Sequence, residues 1–212
     1  MNKRSHKQNC SLAYAADILS ERWTLLIVRE LLLKPCRYGE LLNNLPGMGT
    51  NLLANRLKEL SELELIEKQQ SRYQLTALGQ SLEPTILGLI RWGFQLSKEF
   101  SDPSYLHRPE WDLLAIKSLF NPANSSGIKV CMQVTFLEDT EQSKQTRAVK
   151  QAWILIADNR FSFQFEKPNT EIDVHWTCKL SQLAQPQAER LLTNPKESNA
   201  LNRFLSTFDP ID

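Results

Sequence analysis

The 212-residue sequence lacks long apolar runs, paired cysteines and any marked excess of charge of one sign, and it has only three histidines. Cys10, Cys36, Cys131 and Cys178 are widely spaced and form no CxxC pair; with His6, His107 and His175 they build no zinc-type spacing. No metal is expected, and the cysteines read as reduced thiols of a cytoplasmic protein. Residues 25–28 and 31–33 are apolar but are divided by Arg29 and Glu30, too short to span a bilayer. The polar, basic residues 1–9 have no apolar signal core behind them, so neither secretion nor a membrane partner is expected. Catalytic signatures are missing too. There is no glycine-rich phosphate loop, HExxH or GxSxG, and His107 and His175 have no partner at a recognisable spacing. The expectation is a non-enzyme without a cofactor. The formal net charge is only +1, but residues 1–100 hold 13 Lys/Arg against 10 Asp/Glu, and residues 101–212 hold 12 against 14. A weakly basic first half is compatible with a local nucleic-acid-binding patch.

What is present begins as helix after helix. Leu12, Ala15, Ala16 and Leu19 repeat at helical spacing, and residues 23–33 form a dense apolar helix stopped by Lys34 and Pro35. Residues 37–45 are a short helix, and Pro46-Gly47-Met48-Gly49 is a turn. From 50 to 63 the helical pattern resumes with Leu53, Leu57 and Leu60 inward, and Thr50 is placed to cap it. The period then changes: residues 66–69 and 72–75 are two short extended runs about Gln70-Ser71, a β-hairpin without the usual Asn-Gly turn. Thr76 is read as the cap of one long helix to about residue 100, with Pro84 a candidate kink.

Two helices around a glycine turn, followed by a hairpin, is the order of a winged helix-turn-helix. An α-helix fits the major groove of DNA, provided it stands proud on a firm apolar base. The leucines supply the base, and the opposite face offers Asn51, Asn55 and Lys58 with Arg56 on its flank. Asparagine pairs with adenine, and arginine or lysine with guanine or phosphate. Thr50 at the helix start suits a phosphate contact, Lys68 and Arg72 suit a wing on the adjacent backbone, and Arg37 is a further DNA-binding candidate. On residue type alone, Arg56 and Lys58 are equally partners for Glu59 or Glu62 on an ordinary helix.

Several separated segments resemble the HxlR-type regulators. They are CSLAYAADIL from Cys10, ERWTLLIVREL from Glu21, RYGEL from Arg37, LPGMGTNLLANRLKEL from Leu45 and YQLTALG from Tyr73. Gly49 stands where many members have serine. The resemblance covers residues 8–96. It implies sequence-specific binding to double-stranded DNA at a palindromic operator, by homodimers built from the N-terminal and long C-terminal helices. Cys10 opens the first helix, where a helix N-terminus lowers a thiol pKa. The resemblance offers it as a sensor of oxidants or electrophiles, against a plain contact residue.

Beyond a linker expected at 101–104, residues 111–120 form an amphipathic helix and residues 121–127 a loop. Strand-like runs follow at 130–136, 152–157, 161–165 and 172–178, then helices at 180–192 and 201–208. The fold class expected is α+β: a winged helix-turn-helix domain over 1–100, then a small α+β domain with an antiparallel sheet over 105–212. Phe136, Trp153, Phe163 and Trp176 are either plain core or the lining of a cavity for a small apolar effector. The segment IDVHWTCKLSQL from Ile172 resembles, at pattern level, a sterol-carrier-like fold. Three readings follow: a regulator modulated by an apolar ligand, a regulator switched through Cys10, or a lipid carrier or enzyme with a helical interaction module.

Overall fold

The computed structural model describes residues 5–100, 106, 108, 110–138, 147–177 and 195–208. The expected linker, His107, Cys178 and the helix expected over 180–192 lie outside the described residues. The chain divides into two compact units, Met1–Leu89 and Ile90–Asp212.

The first unit is a helical cluster carrying a small sheet. Helices α1 (Ser11–Leu19), α2 (Thr24–Leu33), α3 (Tyr38–Asn44) and α4 (Thr50–Glu62) precede strands β2 (Ile66–Gln69) and β3 (Arg72–Leu75). A further strand, not expected from the sequence, is β1 (Cys36–Arg37), which pairs antiparallel with β3 and gives the order β1-β3-β2. Gln70 and Ser71 both take positive φ, 48° and 70°. This is the mirror-image turn whose twist suits a hairpin, made here without glycine. Ile27, Val28, Leu41, Leu53, Leu57, Leu60 and Ile66 form the core.

The single long helix expected after Thr76 is two helices, α5 (Ala77–Gln80) and α6 (Glu83–Phe100). Pro84 explains the break: in a continuous helix its ring would collide with the Gln80 carbonyl, whereas the first turn of α6 accepts it. Thr76 caps only α5, accepting the Gly79 N–H at 3.1 Å while donating its hydroxyl hydrogen to the Glu64 carbonyl.

In the second unit, α7 (Trp111–Leu119) and a 3-10 turn (Pro122–Ser125) lead into β4 (Val130–Glu138), β5 (Arg147–Ala157), β6 (Arg160–Gln164) and β7 (Val174–Thr177), followed by α8 (Pro195–Leu205). The sheet order is β6-β5-β4-β7. Its first three strands are antiparallel, as expected; β7 instead pairs parallel with β4. Residues 165–173 cross from one edge of the sheet to the other, which brings β7 in along β4 rather than against it. Both residues of the Asp158-Asn159 turn have positive φ, and both residue types tolerate it. The inner face carries Val130, Met132, Val134, Ile154, Ile156 and Val174, all buried. Phe120, Phe161, Phe204 and Phe208 close this core with centroid separations from 4.9 to 6.3 Å in tilted and edge-on pairs.

Candidate nucleic-acid interface

The turn before α4 is shaped by one glycine and two buried side chains. Gly47 has φ +85°, a region costly for other residues, while Leu45 and Met48 point into the core. α4 then starts from Gly49, whose backbone is extended and which has no side chain to accept a hydrogen bond. Thr50 is therefore not the cap: it is the first helical residue, one position too late. The opening N–H groups of α4 lack a side-chain acceptor, the condition under which a helix start receives an anion. The Tyr38 hydroxyl donates to the Thr50 carbonyl at 2.7 Å, fixing this end of α4 against α3.

The inward face of α4 holds Leu53, Leu57 and Leu60, all buried, and the outward face shows Thr50, Asn51, Leu52, Asn55 and Lys58, all exposed. Lys58 is 76% exposed and 3.8 Å from Glu62, a loose surface pair. Arg56 departs from the expectation. Its side chain is only 12% exposed, with Nη1 donating to Glu59 at 2.6 Å and Nη2 to Glu21 at 2.9 Å. A guanidinium committed to two carboxylates is not presented for a base edge, so Arg56 does not join the exposed face of α4. One partner, Glu59, lies within reach on the same helix; Glu21 is brought in by the tertiary fold.

The wing is anchored to α3 through Glu40, whose carboxylate accepts the Arg37 N–H at 2.6 Å and Arg72 Nη1 at 3.2 Å. The Arg37 N–H, acting against burial and aided by the charges of Arg72, Lys34 and Arg37, holds this carboxyl below its ordinary range. Arg72 also donates to the Pro35 carbonyl at 3.0 Å, so it braces the wing more than it projects from it. Arg37 and Lys68 are exposed, Lys68 with its ammonium 5.4 Å from the Tyr73 ring centre. Sequence reasoning missed Glu30, a buried carboxylate that accepts from Arg29 at 2.8 Å and from Asn44 at 2.9 Å, joining α2 to α3. A lone acidic residue in a leucine-rich helix was the available signal.

Cys10 is exposed at the N-cap of α1. The backbone N–H groups of Ala13 and Leu12 hold its thiol below the usual range, against a small opposing effect of desolvation. Tyr14 donates to the Asn9 side chain at 2.6 Å, and Asp17 accepts from Ser5 and from the His6 backbone, so the residues before Cys10 fold back along α1. Cys36 and Cys131 are buried, and burial and the neighbouring Asp173 charge both push the Cys131 thiol up.

The four aromatic residues considered for an effector do not share one face. Register places Trp176 beside Val134 and Phe163 beside Ile154 on the inner face with Phe136, but Trp153 beside Gln133 on the other face. The apolar run at 152–157 has buried residues on both faces, which hid this division. Phe163 lies edge-on to Phe165 and 5.9 Å from Lys117. Among the described residues, the indole N–H groups of Trp153 and Trp176 are buried without a hydrogen-bond partner. Among the described residues, no helix is long and apolar enough to cross a membrane.

Comparison with known proteins places the first unit. Residues 18–100 match the HxlR-like helix-turn-helix family. The uncharacterized HTH-type transcriptional regulator YvaP of Bacillus subtilis is 38% identical over 100 residues, 43% of this chain and 88% of that protein. An uncharacterized HTH-type transcriptional regulator of Mycobacterium tuberculosis is 36% identical over 107 residues, 47% of this chain and 61% of the relative, so the match spans about three-fifths of that protein's length. The crystal structure of quinone-bound YodB from B. subtilis aligns at 33% identity with a TM-score of 0.39, over 41% of this chain and 98% of that one. The chain belongs to the HxlR-like helix-turn-helix family of transcriptional regulators.

Proposed function

We propose that this regulator reads double-stranded DNA with α4, as a homodimer on a palindromic operator. The observation that carries the reading is the division of α4 into a buried leucine face and an exposed face bearing Asn51, Asn55 and Lys58. Arg37 and Lys68 supply backbone contacts from the wing, and Thr50 sits where the uncapped amides of α4 face outward. Dimerisation is supported by apolar residues left exposed on α1 and α6, including Leu12 at 76% and Trp92 at 58%. The test is salt-dependent binding to a duplex enriched from a random pool; no enrichment and no salt-sensitive binding rejects the reading. Asn55→Ala is expected to weaken the enriched site by about 1–3 kcal/mol, the scale of one bidentate base contact, while binding to a shuffled duplex stays unchanged.

Two signals are open to such a reader, and each has one supporting observation. For a thiol switch it is the exposed Cys10 with its lowered pKa at the start of α1. For a small effector it is the buried, unpartnered indole N–H of Trp176 in the aromatic second unit; such a molecule would be largely apolar and carry a hydrogen-bond acceptor. Release from the operator by diamide should be abolished in Cys10→Ser if the thiol is the switch. Release that survives the substitution removes Cys10 from the mechanism, and a small molecule detected by native mass spectrometry then supports the effector.

A further inference from the structure

We infer that Arg56 is a positioning residue, which with Glu21 ties the α1–α2 junction to the DNA-reading helix and sets the pose of α4. This rests on the reading of α4 proposed above and assigns a role to a side chain that the exposed face does not use. Glu21 lies in the short junction between α1 and α2, 35 residues before Arg56, and accepts from Nη2 at 2.9 Å while Glu59 on α4 itself accepts from Nη1 at 2.6 Å. The side chain is largely withdrawn from water, and its Nε is buried with no acceptor among the described residues. A buried donor left unmatched is a cost that solvent exposure would remove. The fold accepts that cost to hold the guanidinium between the two carboxylates. The planar fork gives each carboxylate its own nitrogen, Nη1 for Glu59 and Nη2 for Glu21, whereas a lysine ammonium would have to serve both from one nitrogen.

The position of the pair gives it consequence. Arg56 follows Asn55 directly, so the stretch of α4 that the guanidinium ties to Glu21 is the stretch that carries the reading asparagine. Base contacts need their donors placed to within a fraction of an ångström, whereas phosphate contacts tolerate more. Charge acts in the opposite direction. One guanidinium between two carboxylates leaves the cluster with a formal charge of −1 beside a surface meant for a polyanion. Neutralising Glu21 therefore favours sequence-independent attraction while loosening the pose that sequence reading requires. Loss of folded protein would lower both together, and a directly base-reading Arg56 would be freed, not impaired, by losing Glu21.

The experiment compares the full-length wild type, Glu21→Gln, Arg56→Ala and the double variant on the enriched duplex and on a shuffled duplex, by fluorescence anisotropy at fixed salt. Glu21→Gln is expected to lower the ratio of specific to non-specific affinity about fivefold, the scale of one coupled pair, with binding to the shuffled duplex equal or tighter. In the Arg56→Ala background the same change should have no further effect on that ratio. An unaltered ratio for Glu21→Gln, or an equal fall in both backgrounds, overturns the inference. A wild-type protein that enriches no duplex overturns the reading of α4 instead.

Discussion

Gly79→Ala is expected to destabilise the first unit by about 3 kcal/mol, at the upper end of what overpacking a core costs. A Cβ at this position would lie 2.0 Å from the Leu65 carbonyl oxygen and 3.0 Å from Leu75 Cδ2. The obstruction is backbone, so no rotamer change relieves it. The carbonyl is also engaged, accepting the Thr76 N–H at 3.1 Å, and Thr76 accepts from Gly79 in turn. Moving the Leu65 peptide would therefore disturb the closure of the hairpin as well as the contact. The measurement is the urea midpoint of the first unit, with Gly88→Ala as the contrast. Gly88 lies inside α6, where an added Cβ would meet nothing within 4 Å, and alanine there should gain up to about 1 kcal/mol in helix propensity. Equal behaviour of the two variants would show that the close approach at Gly79 is not limiting.

The second large effect concerns Glu110, a buried carboxylate just before α7. Burial works to raise its pKa, but hydrogen bonds from Lys150 and Arg108, together with a backbone contact, outweigh it and hold the group at about 2, against an ordinary 4.5. Because the folded value is depressed, the stabilisation is complete above the ordinary value and is lost as pH falls from about 4.5 toward 2. Its size is about 3 kcal/mol at 1.36 kcal/mol per pH unit of displacement. Lys150→Met removes one partner and leaves the carboxylate short of compensation, a change expected to cost about 3 kcal/mol at pH 7. That cost should shrink steadily below pH 4.5, as the variant's carboxyl takes up a proton more readily than the wild type's. Unfolding of both proteins at pH 7 and pH 4 provides the check; a difference that does not narrow in acid would remove Glu110 as its source.

The elements legible in the sequence are those with a local signal. Leu53, Leu57 and Leu60 mark α4 by spacing alone, and the change to alternation at Ile66 marks the wing. The two-residue strand Cys36–Arg37 has no period to detect and exists only through its pairing with Arg72 and Tyr73. Pro84 signals a disturbance, yet whether it bends a helix or begins one depends on the turn before it. At the candidate interface, residue type offers two roles for Arg56, and its contact with Glu21 arises only once the chain has folded. Gly79 illustrates the same limit: its neighbour Leu65 is fourteen positions upstream, and nothing in a run of letters shows a carbonyl oxygen aimed at a missing methyl group.

The parallel pairing of β7 has a consequence for the order in which the second unit assembles. β4, β5 and β6 are consecutive, and the tight Asp158-Asn159 turn lets the last two pair early. β7 must wait for β4 to be in place, because its partner is distant: Asp173 and Cys131, 42 positions apart, exchange the hydrogen bonds that open the pairing. Reaching it requires the nine residues 165–173 to traverse three interstrand gaps, about 14 Å at the usual spacing, with little displacement along the strands, because Gln164 is in register with Trp153 and so with Gln133, while Val174 is in register with Met132. Nine extended residues span at most about 30 Å, about twice that distance, so the segment has slack. Removing two or three of these residues should therefore leave β7 able to reach β4, whereas removing well over half would detach the fourth strand and still leave the three-stranded meander able to form.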